Sequence, residues 1–154
     1  GLNVAVSYKN FDLSMFWQGV ADQDIYNNQK YQTDFWSITD AGSNKGNRML
    51  NAWTSDNTDS SIPALTTNNT ADEGRVSTYY VENGSYLKLR TLQLGYNVPE
   101  KFISKLKMSS LRAYISGQNL LTLKSSSLTC SDPENPSWAY PLATSISFGL
   151  QVGF

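Results

Sequence analysis

The groups able to do chemistry in these 154 residues are 13 carboxylates, one thiol and a scatter of aromatics; histidine is absent. Without imidazole there is no His-based triad, no His general base and no His metal ligand. One cysteine, Cys130, allows neither an internal disulfide nor a cysteine-cluster metal site, and is read as an isolated thiol in an exterior loop. Asp22 with Asp24, and Asp56 with Asp59, offer oxygen ligands of the kind Ca²⁺ takes. Neither pair lies in the Asp-x-Asp-x-Asp-Gly…Glu pattern of a calcium loop, so both are read as solvated carboxylates. Paired carboxylates could also hydrolyse a glycosidic bond, but no catalytic motif frames them. The sequence therefore predicts no catalytic residue, no metal and no cofactor.

Binding chemistry is better represented. Trp36, Trp53, Trp138 and Tyr140 lie in long polar stretches, and aromatic rings there can stack on sugar or peptide groups. Packing within the loops is the plainer use of the same rings. The charge balance, 12 Lys+Arg against 13 Asp+Glu, gives a net charge of −1 and no basic face for nucleic acid. Charged residues are 16% of the chain, below the roughly 25% of ordinary soluble domains, and neutral polar residues fill the difference.

The elements that must position these residues are strands. Leu2, Val4, Val6 and Tyr8 alternate with Asn3, Ala5, Ser7 and Lys9; after a Lys9-Asn10 turn, Phe11, Leu13, Met15 and Trp17 alternate with Asp12, Ser14, Phe16 and Gln18. Period-two alternation across so short a turn predicts an antiparallel hairpin with one apolar face. Ile146, Phe148, Leu150, Val152 and Phe154 repeat the pattern, as do Ala113, Ile115 and Gly117 against Arg112, Tyr114, Ser116 and Gln118. Between Tyr86 and Val98 the parity switches at Arg90-Thr91, from Leu87 and Leu89 to Leu92 and Leu94. Either a bulge shifts the register there or the two faces exchange environments.

Strands are thus expected near 2–9, 11–20, 85–98, 111–123 and 144–154, joined by alternately short and long connections. Lys9-Asn10 is tight, and 99–110 is compact, with Phe102, Ile103 and Leu106 spaced for a turn or two of helix. Segments 21–83 and 124–143 are long and rich in Asn, Asp, Ser, Thr and Gly. Short turns at one end and long loops at the other predict an all-β chain of antiparallel strands from a transmembrane β-barrel, with periplasmic turns and extracellular loops. No run approaches the ~18 apolar residues of a membrane-spanning helix. Nor does the start resemble a signal peptide; it falls within an alternating run, so the chain is expected to be a piece of something longer. A soluble β-sandwich carbohydrate-binding module is the alternative, but it would show about seven strands with short, regular turns.

Specific words then become recognisable. Arg48 to Thr54 (Arg-Met-Leu-Asn-Ala-Trp-Thr), Ile62 to Leu65, Val81 to Pro99, Leu111 to Leu121, Asp132 to Glu134, Tyr140 to Leu142 and the closing Ser147 to Phe154 resemble the C-terminal portion of SusC/RagA-type TonB-dependent outer-membrane transporters of Bacteroidota. The departures are Ala143-Thr144, where Pro and Arg commonly stand, Ser55-Asp56 in place of Pro-Glu, and Cys130 in place of Gly or Tyr.

The resemblance implies a large barrel in the bacterial outer membrane, in contact with its lipid. It also implies an N-terminal plug and TonB box absent from this chain, a SusD-like surface lipoprotein as a lid, and an oligosaccharide or peptide as cargo. The loop aromatics would then touch cargo or lid. Lys88, Arg90, Arg112 and Gln118 would face the lumen, and Phe154 would close the signal read by the outer-membrane assembly machinery.

Overall fold

The computed structural model describes residues 1–36, 44–66, 72, 74–106, 108–137 and 139–154, with Trp36 and Leu106 by their backbone alone. In chain order the elements are β1 (Leu2–Tyr8), β2 (Phe11–Val20), β3 (Asp24–Tyr26), α1 (Asn28–Tyr31) and a π-helical turn, Gln32–Trp36. Short 3₁₀ turns follow at Asn47–Asn51 and Thr78–Tyr80, then β4 (Val81–Asn83), β5 (Tyr86–Asn97), α2 (Glu100–Ile103), a 3₁₀ turn at Ser104–Leu106, β6 (Ser110–Lys124) and β7 (Ser145–Gly153). They form two compact units: Gly1–Asp22 with Ser85–Ser125 and Pro141–Phe154, and Gln23–Gly84 with Ser126–Tyr140.

The first unit is a five-stranded antiparallel sheet in the order β1-β2-β5-β6-β7. Facing pairs such as Val4↔Met15, Leu13↔Leu94, Leu94↔Ile115 and Ile115↔Phe148 carry one apolar row across all the strands. The opposite face is polar, through Ser14↔Gln93, Gln93↔Ser116 and Ser116↔Ser147. The tight hairpin turn is made by Lys9 in the left-handed region at φ 53°, and Asn10 Nδ2 ties it to the Asn97 carbonyl at 2.9 Å.

The parity switch in β5 is a bulge. Phe16 pairs with Thr91 but Trp17 pairs with Leu89, so Arg90 is an extra residue against β2. Across the other edge, Leu89 pairs with Leu121 and Thr91 with Gln118, which leaves Asn119 and Leu120 opposite Arg90 alone. Asn119 takes φ 52° there, and its amide donates to the Ala143 carbonyl at 3.1 Å while its own carbonyl accepts from Thr144 Oγ1 at 2.9 Å. The bulge returns Leu87, Leu89, Leu92 and Leu94 to the same face, as a one-residue insertion must.

The second unit shows that the long connections pack into a body of their own. Its core is Phe35, Met49, Ala52 and Tyr80, with Tyr26, Tyr31, Ile62 and Tyr79 packed against them. A two-stranded ladder, β3 with β4, closes it. Asn27 caps α1 by accepting from Lys30 N at 3.0 Å, the usual service of Asn before a helix. Composition pointed to loops because so much of the core is tyrosine, which hydropathy alone does not mark as interior.

Candidate functional site

The sheet presents two chemically distinct surfaces. The apolar one is open: Leu150 is 73% and Phe148 80% exposed, with Leu2, Val6, Phe11, Leu94, Ile115 and Ile146 exposed on the same side. Phe11 and Tyr96 pair their rings there at 4.8 Å, toward the end with the short turn.

On the polar face Arg112 donates twice to Asp12, Nε to Oδ1 at 3.0 Å and Nη2 to Oδ2 at 2.5 Å. Asn97 Nδ2 adds a bond to Asp12 at 3.3 Å. Arg90, delivered by the bulge, donates from Nε to Gln18 Oε1 at 3.0 Å and from Nη1 to Asn119 Oδ1 at 3.4 Å. Lys88 shares this face through its pairing with Gln18 and Thr122, and it is only 3% exposed. Its ammonium lies 5.6 Å from the Tyr86 ring centroid. Gln118, opposite Thr91, is exposed on the same side. The four polar-face residues read from the sequence therefore share one surface.

The loop aromatics do not form a cluster in the described residues. Tyr140 is fully exposed at 100%, and Trp53 is 43% exposed, its backbone N–H bonded to the Ile62 carbonyl at 2.9 Å. Trp36 closes the π-helical turn, with only its backbone described, and Trp138 lies outside the described residues. Phe154 is 93% exposed, just past β7. Cys130, expected as an exterior thiol, is fully buried with its Sγ donating to the Asp132 carbonyl at 3.4 Å.

What the sequence reading missed is a buried polar frame in the second unit. Asp34 is fully buried and accepts from Arg48 Nε at 2.8 and 2.9 Å and from Tyr79 Oη at 2.8 Å. Burial, with the Asp34 carboxylate beside it, drives the Tyr79 phenol far above its usual range. Glu82 accepts from Asn27 Nδ2 at 2.8 Å, from Thr129 N at 2.9 Å and from Thr129 Oγ1 at 3.0 Å, and pairs with Lys30 Nζ at 3.3 Å. Burial alone would push the Glu82 carboxyl up, but these donors and the Lys30 charge outweigh it and hold it below its ordinary value. Gln29 completes the frame, donating to Ser131 Oγ and to the Ser137 carbonyl, both at 2.8 Å. Stretches about 50 and 100 residues apart are thereby fastened into one body. Such pairings leave no local signal in the sequence.

No family profile matches the chain. It is 37% identical over 125 residues to TonB-dependent receptor P3 of Formosa agariphila, a match covering 79% of this chain and 11% of that protein. It is 28% identical over 180 residues to TonB-dependent receptor P26 of the same organism, covering 100% of this chain and 16% of the relative. The chain thus spans only a small part of the curated relatives it matches. Among solved structures, the RagAB peptide importer in its open-open state superposes with a TM-score of 0.77 at 26% identity, over 99% of this chain and 16% of that one. The RagAB peptide transporter gives a TM-score of 0.75 at 26% identity, over 99% of this chain and 17% of that one. These relatives are receptors and transporters, not enzymes. Shared words, strand order and superposition agree, and they identify the chain as the C-terminal portion of a TonB-dependent receptor of the SusC/RagA type.

Proposed function

We propose that this chain is a stretch of barrel wall, with its outer-surface loops, from a transporter that imports glycan- or peptide-derived nutrients across the bacterial outer membrane. A SusD-like surface lipoprotein caps it, and TonB drives it through parts of the protein outside this chain. The observation that carries the reading is the five-stranded sheet with one open apolar face and one polar face. A sheet in lipid needs that arrangement, apolar side chains toward the acyl chains and polar ones toward a lumen. Five strands cannot close alone, since the smallest membrane barrels have about eight, so the remaining strands belong to the parent. A soluble sandwich would cover the Phe148–Leu150 face with a second sheet, and that face is open.

In this reading Lys88, Arg90, Arg112 and Gln118 face the lumen. Trp53 and Tyr140 stand on the outer surface, with Trp36 and Trp138 assigned there by sequence position, and Phe154 serves assembly. The test is the full-length parent in plain buffer and in detergent. The transport reading expects folding and monodispersity only with detergent or lipid, and a monodisperse, folded parent in buffer alone overturns it. Protease added to intact cells should cut within 21–83 or 124–143 and spare the Lys9-Asn10 turn.

A further inference from the structure

Within the second unit a cleft of about 300 Å³ opens beside the aromatic core. Phe35, Pro63 and Tyr79 make its apolar lining, and Ser61, Ser77, Asp72 and Arg75 supply polar groups around it. That volume is at the small end for a ligand site and suits one side chain with its flanking backbone. The chemistry of the lining separates two cargo classes. A pyranose binds aromatic residues by lying on an open ring face. The Tyr79 ring is already engaged: Lys30 Nζ stands 4.0 Å from its centroid, Tyr80 meets it edge-on at 5.0 Å and Phe35 lies tilted at 5.7 Å. Its hydroxyl is committed to Asp34 at 2.8 Å, and Phe35 is itself buried. The cleft offers a hollow for an apolar group, not a platform for a sugar.

The rim adds charge of both signs. Arg75 N donates to the Asp72 carbonyl at 2.9 Å, and both residues are exposed, so a guanidinium and a carboxylate stand close in sequence at the rim. A short peptide with free termini carries the same two charges at its ends. We propose that this cleft receives an apolar side chain of an imported peptide, with Arg75 taking the peptide's carboxylate. The proposal rests on the transport reading above and narrows its cargo.

The experiment titrates the full-length receptor in detergent with Ala-Leu-Ala, Ala-Ala-Ala and maltotriose by calorimetry. Ala-Leu-Ala is expected to bind at least about tenfold more tightly than Ala-Ala-Ala, the usual worth of extra methylenes in an apolar pocket. Ser77→Trp should abolish that preference by filling the cleft; Ser77 is exposed and its side chain makes no capping bond. Arg75→Ala, also at an exposed position, should weaken Ala-Leu-Ala but not its C-terminal amide. Heat-modifiable mobility checks that each variant is folded. Equal affinity of wild type for the two peptides overturns the proposal, as does a leucine preference that survives in Ser77→Trp. Maltotriose binding that Ser77→Trp removes would assign the cleft to glycans instead. Each of these leaves the transport reading standing, because that reading fails on a different result, detergent-independent folding.

Discussion

Arg112 on β6 reaches over β5 to Asp12 on β2, and the residue beneath the bridge is Gly95. A Cβ built on Gly95 would stand 2.5 Å from both Arg112 Nη2 and Asp12 Oδ1. The glycine is therefore required by the ion pair above it and not by backbone conformation. The pair clasps three neighbouring strands on the face assigned to the lumen.

Gly95→Val is accordingly expected to split the pair and lower the thermal transition of the detergent-solubilised parent. The informative comparison is Gly95→Val placed on an Asp12→Ser, Arg112→Ser background, where the valine has little left to displace. Interaction between neighbouring sites appears as non-additivity, so the valine should cost clearly less on that background. An equal loss on both backgrounds would show that the glycine serves something else.

The two faces of β7 should respond oppositely to charge. Leu150 faces Ala113 in the apolar row, while Gln151 faces Arg112 on the polar side. Arginine on a lipid face near mid-depth costs roughly 2–4 kcal/mol, and far less where it keeps its water. Leu150→Arg should therefore impair assembly of the parent and Gln151→Arg leave it near normal, read from heat-modifiable mobility on a gel. Because Gln151 lies opposite Arg112, Gln151→Glu is the milder control on the polar side.

Alternation made the sheet readable. Leu2, Val4, Val6, Leu13, Met15 and Trp17 share one face, as do Ile146, Phe148, Leu150 and Val152, because a strand turns alternate residues to opposite sides. The bulge was visible only as a parity break at Arg90-Thr91; choosing between its two causes needed the neighbours, since it is the Phe16↔Thr91 and Trp17↔Leu89 pairings that count the extra residue. The second unit was not readable in the same way. Its tyrosines carry no periodicity, and Asp34, Glu82 and Asn27 are interior polar residues whose partners lie far along the chain. Phrases shared with a family identified the chain without disclosing that packing.

Phe154 lies just past β7 and, at 93% exposed, makes little contact within this chain. Its removal should therefore cost little intrinsic stability while reducing the amount of folded parent in the outer membrane. The check pairs two measurements: heat-modifiable protein in outer-membrane fractions, and refolding of purified parent into detergent. Loss in cells with normal refolding in vitro is the expected result. Equal loss in both would make Phe154 a packing residue and remove the assembly role.

Glu82 sets a pH limit on the second unit. Its carboxylate is held below its ordinary value by bonds from Asn27 and Thr129 and by Lys30, against the opposing effect of burial. A group with a depressed folded-state value stabilises the fold above its unfolded value, and the contribution fades as pH falls through the folded one. The unfolded reference for glutamate is about 4.3. Exchange protection of the Thr129 amide, corrected for intrinsic rates, should thus hold from neutral pH to about 5 and decline below about 4. Glu82→Gln keeps the shape but replaces an acceptor oxygen with a donor and leaves Lys30 without this partner. It should ease local opening at neutral pH by roughly 1–3 kcal/mol, the usual cost of losing a hydrogen bond to a charged group. In that variant the acid-dependent loss of Thr129 protection should disappear, because no carboxylate remains there to titrate. Protection that falls in wild type already above about pH 5, or an identical acid decline in Glu82→Gln, would place the titrating group elsewhere.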